Sequence, residues 1–254
     1  MTESEMERTG QEMGLESAPQ PRIQTPQTEP LVTYTLLALS ILVFVLQVGT
    51  NLLLGQDLPA AYGVKNNRWI EAGQYWRLLT PMLLHGSIIH LGFNMYALYI
   101  LGRRLERFFG HTRFLALYII SGFCGNIFSF MLTQASSLGS STAIFGLLGA
   151  EGVFIYQHRD LLGERFEGAL RQIIQVALIN LLIGLSPGID NWGHIGGLLG
   201  GVAFTWFAGP LFQLEGIFPL VELKDKRSRD VANVVFLIMA FLLLALVWLI
   251  LTFR

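Results

Sequence analysis

At 254 residues the chain could form one large domain or two small ones, but 52% of its residues are hydrophobic, only 14% are charged, and its mean hydropathy is +0.52. That composition excludes an ordinary soluble domain and indicates a polytopic membrane protein. A net charge of -1 gives no basic surface for a nucleic-acid partner, and the single cysteine, Cys124, excludes an internal disulfide and a cysteine metal cluster.

Residues 1–30 are acidic, rich in Glu and Pro and poor in large apolar side chains, the pattern of a disordered tail. They have neither the basic start and apolar core of a secretory signal nor the Arg-rich, acid-poor character of a transit peptide. Seven apolar runs follow, at 31–54, 81–102, 114–132, 141–157, 173–185, 192–207 and 231–251. Each is a predicted membrane helix, since about 20 mostly apolar residues cross a bilayer. The fourth, fifth and sixth are short. A helix of about 15 residues rises only about 22 Å, so these must start or stop inside the bilayer, with neighbouring protein covering their ends.

Lys and Arg set the orientation. With residues 1–30 in the cytoplasm, the outer segments hold Lys65, Arg68, Arg77 and Arg254, and the other 13 of the 17 cations fall inside. The acidic tail contributes little, so the assignment rests on the internal loops. It puts the N-terminus inside and the C-terminus outside. The starts of the second, fourth and sixth spans then share the outer side, and they carry His90 and Asn94, Ser141, and His194 at similar depth.

Ser141 alone is weak evidence, because a serine before an apolar run is commonly an N-cap or a small packing residue, and Ser136, Ser137 and Ser140 are equal candidates on that view. His194 says more, since an ionisable side chain inside a span is costly and points to function, the bland alternative being an imidazole bonded to a backbone carbonyl. Thr142, Gly146 and Ala150 repeat every fourth position, as do Gly196 with Gly200 and Gly197 with Gly201. Such stripes let helices approach closely. Packed along them, Ser141 and His194 become a nucleophile and its general base, with Phe145 on the same face as Ser141 and able to pack on the imidazole. In "HGSIIHLGFNM", His90 and Asn94 lie four apart on one helix face and, with the backbone N–H of Ser141, could form a three-donor oxyanion hole. The alternative is two polar residues bonding across helices. Asp190 reads as the cap of the sixth span, which favours a dyad over a triad. Glu151, ten residues into the fourth span, reads as structural.

As an ordered set, "WR" at Trp76 and Arg77, "HGSIIHLGFN", "GSSTAIFG" and "HIGGLLGG" resemble the rhomboid family of intramembrane serine proteases, over roughly half the chain. The resemblance implies an all-α fold: a six-helix core over residues 31–210, followed by a cytoplasmic loop and a seventh helix over 211–254. It implies that Ser141 is the nucleophile, His194 the base, His90 and Asn94 the oxyanion-stabilising pair, and His85, Trp76 and Arg77 structural. Gly139 corresponds to the glycine two before the nucleophile. Many relatives have glycine where this chain has Thr142, and some have tyrosine where it has Phe145; neither change removes a reacting group. The implied activity is hydrolysis of substrate transmembrane segments near their outer ends, with no metal or cofactor required. Membrane-protein substrates and the lipid bilayer are the expected partners, and a bacterial plasma membrane the expected location. Two rival readings are a catalytically inactive rhomboid-like binding or quality-control module, and a transporter. The second is disfavoured because the intramembrane polar groups cluster near one side.

Overall fold

Seven long helices dominate the protein: α1 Leu31–Leu54, α2 Ile88–Phe109, α3 His111–Leu132, α4 Ser141–Gln157, α5 Arg165–Ile183, α6 Asn191–Ala208 and α7 Arg229–Phe253. The computed structural model describes residues 22–24, 28–217 and 220–253. Most of the tail expected over 1–30 therefore lies outside the described residues.

Each expected span has its helix, and the ends differ for physical reasons. A 3₁₀ turn at Tyr75–Leu78 precedes the second apolar run, and another, Thr80–Leu83, which contains Pro81, takes up its start. α2 begins only at Ile88, where the Ser87 side chain accepts the His90 N–H at 3.1 Å. It then runs on through Arg103, Arg104, Glu106 and Arg107, charges that end an apolar run without ending a helix. α5 likewise starts at Arg165, two polar turns before its apolar stretch. By length and composition α1, α3, α5 and α7 can cross a membrane. The 17 residues of α4 rise only about 25 Å, less than a hydrocarbon core of about 30 Å.

α3 is largely buried, whereas α1, α5 and α7 turn most of their apolar side chains outward, as lipid-facing helices do. α3, α4 and α6 form the packed centre. A Cβ on Gly197 would overlap the Thr142 carbonyl, and one on Gly201 the Gly146 carbonyl, so these glycines are what allow α6 onto α4. The expected stripe is present, but it divides. Gly196 and Gly200 face α3 instead, against Phe128 and Cys124.

Polar groups fasten the ends. Pro30 supplies no side-chain cap to α1; the buried Glu106 carboxylate of α2 does so from a distance, accepting the N–H groups of Val32 and Thr33 at 2.8 and 2.7 Å and the Thr33 hydroxyl at 2.6 Å. Bonds to a charged group contribute roughly 1.5–3 kcal/mol each. In the segment between α1 and α2, Arg77 is 2% exposed and donates to Val64 O, Ala61 O and Gln74 Oε1 at 2.7–2.9 Å, while Lys65 Nζ donates to Thr133 O and Ala135 O. Arg77 thus holds the segment together, and Lys65 ties it to the strand of chain that leads into α4.

A small sheet was not expected. β1 Arg22–Gln24, β2 Phe212–Ile217 and β3 Leu220–Asp225 lie in the order β1-β3-β2, with β2 and β3 antiparallel and β1 parallel to β3. Residues 22–24 of the expected disordered tail and much of the expected loop are therefore extended chain. The sheet docks on the helix ends remote from Ser141. Arg113 bonds Asp225 at 2.7 Å, and Phe212 N donates to His158 Nε2 at 2.8 Å.

Candidate active site

Ser141 opens α4, and His194 sits in the first turn of α6. Because α6 lies against α4 along the glycine contacts, the two side chains meet: Ser141 Oγ and His194 Nε2 are hydrogen-bonded at 2.9 Å. Phe145, one turn on from Ser141, stacks on the imidazole with ring centroids 4.2 Å apart and an interplanar angle of 11°. The ring is thereby fixed between a hydroxyl at its edge and an aromatic face at its side. His194 is buried and Ser141 half-buried, so the pair opens on the serine side.

The neighbouring serines are engaged elsewhere. Ser140 Oγ shares a hydrogen bond with His85 Nε2 at 3.3 Å, Ser136 Oγ accepts from Asn66 Nδ2 at 3.0 Å, and Ser137 pairs through its backbone with Lys65. Asp190 caps α6, accepting the Gly193 N–H at 2.9 Å through one oxygen and the Ser129 hydroxyl through the other. His194 Nδ1 has no hydrogen-bond partner among the described residues. The arrangement is a pair rather than a triad, and if Nε2 is to accept the serine proton, Nδ1 must carry the ring hydrogen.

His90 reaches the same place through Gly139. A Cβ on that residue would lie 2.8 Å from His90 Nε2 and 3.7 Å from Ser141 Oγ, so ring and hydroxyl come within 4 Å of one point. Gly139 also has φ +130°, a conformation that only glycine adopts readily. The His85 and His90 rings lie edge to face, with centroids 5.3 Å apart and an interplanar angle of 67°. Asn94 is buried one turn further along α2, and its amide donates to the His90 carbonyl at 2.9 Å. The contact that defines Asn94 is thus to its own helix, with its second N–H uncommitted there. The amides at the start of α4 have no side-chain cap from Ser140, and their helix dipole favours negative charge.

Sequence reasoning missed Ser129, whose hydroxyl anchors the Asp190 cap. The signal was available: Ser121, Gly125 and Ser129 form a small-residue stripe on α3, and Gly125 lies against the Gly193 carbonyl. It also left Glu151 without a partner. The structure gives it Arg104 of α2 as an ion pair.

Residues 72–211 match the family model described as the Rhomboid domain. Rhomboid protease GluP of Bacillus subtilis (strain 168) is 42% identical over 174 residues, covering 68% of this chain and 34% of that protein. RHOMBOID-like protein 5 of Arabidopsis thaliana is 35% identical over 189 residues, 70% of this chain and 61% of the relative. RHOMBOID-like protein 6, mitochondrial, of the same plant is 43% identical over 133 residues, 52% and 43%. The chain spans between about a third and three-fifths of the length of these relatives.

Proposed function

The chain belongs to the rhomboid family, and we propose that it is an intramembrane serine endopeptidase that hydrolyses peptide bonds in or near transmembrane segments of other membrane proteins. It is a multi-pass integral membrane protein; a bacterial plasma membrane, with the Ser141 side facing out, is part of the proposal. The observation that carries the reading is the 2.9 Å hydrogen bond between Ser141 Oγ and His194 Nε2, on an imidazole stacked by Phe145.

In this mechanism His194 Nε2 takes the Ser141 proton as Oγ attacks the scissile carbonyl carbon. The resulting imidazolium gives that proton to the departing amine nitrogen, leaving an acyl ester on Ser141. Water, deprotonated by the same nitrogen, then attacks the ester and releases the carboxylate product. The negative oxygen formed in each addition is met by the Ser141 N–H at the start of α4, by the His90 ring and by the free N–H of Asn94. Phe145 limits rotation of the base between the two half-reactions. Asp190 is committed to its cap, so the dyad works without a carboxylate partner.

The test is Ser141→Ala, with cleavage of a model transmembrane substrate and labelling by a fluorophosphonate both measured. Substitution should remove labelling and lower turnover by about 10⁴-fold or more, with the size-exclusion profile and thermal unfolding unchanged. Labelling that persists on another serine would move the nucleophile. An unsubstituted protein that binds the substrate, is not labelled and does not cut it would be the inactive binding module instead.

A further inference from the structure

Ser141 is the first residue of α4 and His194 lies in the first turn of α6, so the pair stands between the starts of two helices. Each start carries roughly half a positive charge from its unpaired N–H groups. Side chains lean toward the start of their own helix, which carries the His194 ring toward the positive end of α6. A base placed there resists becoming an imidazolium, the form that proton transfer from Ser141 requires.

One negative charge opposes this. Asp190 is the N-cap of α6: its Oδ1 accepts the Gly193 N–H at 2.9 Å, and its backbone carbonyl accepts the His194 N–H at 3.1 Å. Its Oδ2 accepts the hydroxyl of Ser129, which is fully buried on α3. A Cβ on Gly193 would lie 3.0 Å from that oxygen, so the carboxylate is pressed against the residue that precedes the base. Around the imidazole, α4 presents Ser141 and Phe145, and α2 the titratable His90. Lys65, in the α1–α2 segment, is held by the Thr133 and Ala135 carbonyls. α3, α5 and α7 carry no charge past Arg113, Arg171 and Asp230, all toward the ends remote from Ser141.

We propose that Asp190 is a positioning residue for the base: held by Ser129, its carboxylate offsets the positive helix ends and favours the imidazolium that His194 becomes during acylation. It acts through the head of α6, without touching His194 Nδ1. The inference rests on the proteolytic reading of the pair.

Asn and Ser rank with Asp as helix caps but carry no charge, so they separate capping from electrostatics. In Asp190→Asn the new amide can donate to Ser129, whose own hydroxyl then turns to Ser137 Oγ, 3.4 Å away. The titration of His194 is followed by NMR on the histidine-labelled full chain, its resonance identified by its loss in His194→Ala, and kcat/KM is measured against pH. Asp190→Asn should leave the unfolding midpoint within about 1 °C. It should move the His194 titration and the acid limb of kcat/KM to lower pH by about 0.5–1 unit, and lower the plateau by about 3-fold to 10-fold. Asp190→Ala should in addition lower the midpoint by about 2–4 °C, since the cap is lost as well. Asp190→Ser repeats the neutral cap in another shape, so the comparison stands if one variant folds poorly. An unmoved titration in the neutral-cap variants, or failure of both to fold, would overturn the proposal, because the charge would then serve the fold alone. A moved titration in a chain that neither cleaves a substrate nor takes a fluorophosphonate would count against the protease reading and leave the effect of Asp190 on His194 in place.

Discussion

Ser136, Ser137, Ser140 and Ser141 are interchangeable by composition, and what separates them is the side chain that each one meets. Three are held by His85, Asn66 and the Lys65 backbone, and only Ser141 faces His194. The roles proposed for the surrounding polar groups differ in when they act. An oxyanion donor stabilises the charged transition state alone, so Asn94→Ala should lower kcat/KM by about 10-fold to 1000-fold, with the Ser141 N–H and His90 still in place. His194→Ala should cost more, since the hydroxyl then has no base. Rates for both variants at matched folding decide this; if His194→Ala retains the greater activity, the base must be sought at His90. Ser141, His194, Phe145, His90 and Asn94 could be listed from spacing and depth, because each sits at a fixed offset on its own helix. The Ser129–Asp190 bond joins residues 61 positions apart, and only the packing of α3 on α6 determines it.

At the scale of elements, the closeness of α4 and α6 is a property of glycine, and this makes a matched pair of substitutions informative. Gly201→Ala drives a methyl group into the Gly146 carbonyl. It should destabilise the protein by about 1–3 kcal/mol, as overpacking does, and should lower turnover by widening the Ser141–His194 contact. Gly168→Ala, on α5, meets nothing within 4 Å. It should leave turnover unchanged and stabilise by about 0.5–1 kcal/mol through helix propensity. Chemical denaturation and a cleavage assay on the two variants distinguish these outcomes; equal losses would mean that the glycine stripe does not set the helix spacing. A second substitution probes the remote cap: Glu106→Ala strands the first N–H groups of α1 and should cost about 3 kcal/mol. Hydropathy located all seven helices because each buries or presents to lipid an apolar stretch. It misplaced the start of α2 because Pro81 and the apolar residues beside it wind into 3₁₀ turns. It also missed the sheet, although Phe212 and Leu214, alternating with Gln213 and Glu215, carry a strand's period. The parallel pairing of β1 with β3 crosses almost the whole chain and leaves no local pattern.

For the whole molecule, orientation decides from which side a substrate reaches Ser141, and the structure sharpens the charge argument. Of the four cations assigned outside, Lys65 and Arg77 are buried and bonded to backbone carbonyls, so they serve the fold rather than the membrane surface. On the other side Arg113 is similarly consumed by Asp225 and Lys224 pairs with Glu215, whereas Arg159 and Arg165 are exposed. The exposed cations thus favour the end remote from Ser141, which supports the proposed cytoplasmic placement of that end. Lys65 pairs with Ser137, so the α1–α2 segment and the start of α4 must share a side. The native thiol, Cys124, is buried and should give little background, which allows single exposed cysteines to report topology. In intact bacterial cells a membrane-impermeant maleimide should label Ala72→Cys, in the α1–α2 segment, and spare Arg165→Cys, at the start of α5; after lysis it should label both. Labelling of both in intact cells, or of Arg165→Cys alone, would reverse or abolish the assigned orientation. The common depth of Ser141 and His194 would survive, since it follows from their hydrogen bond, but the proposed cleavage would then occur at the cytoplasmic ends of substrate helices.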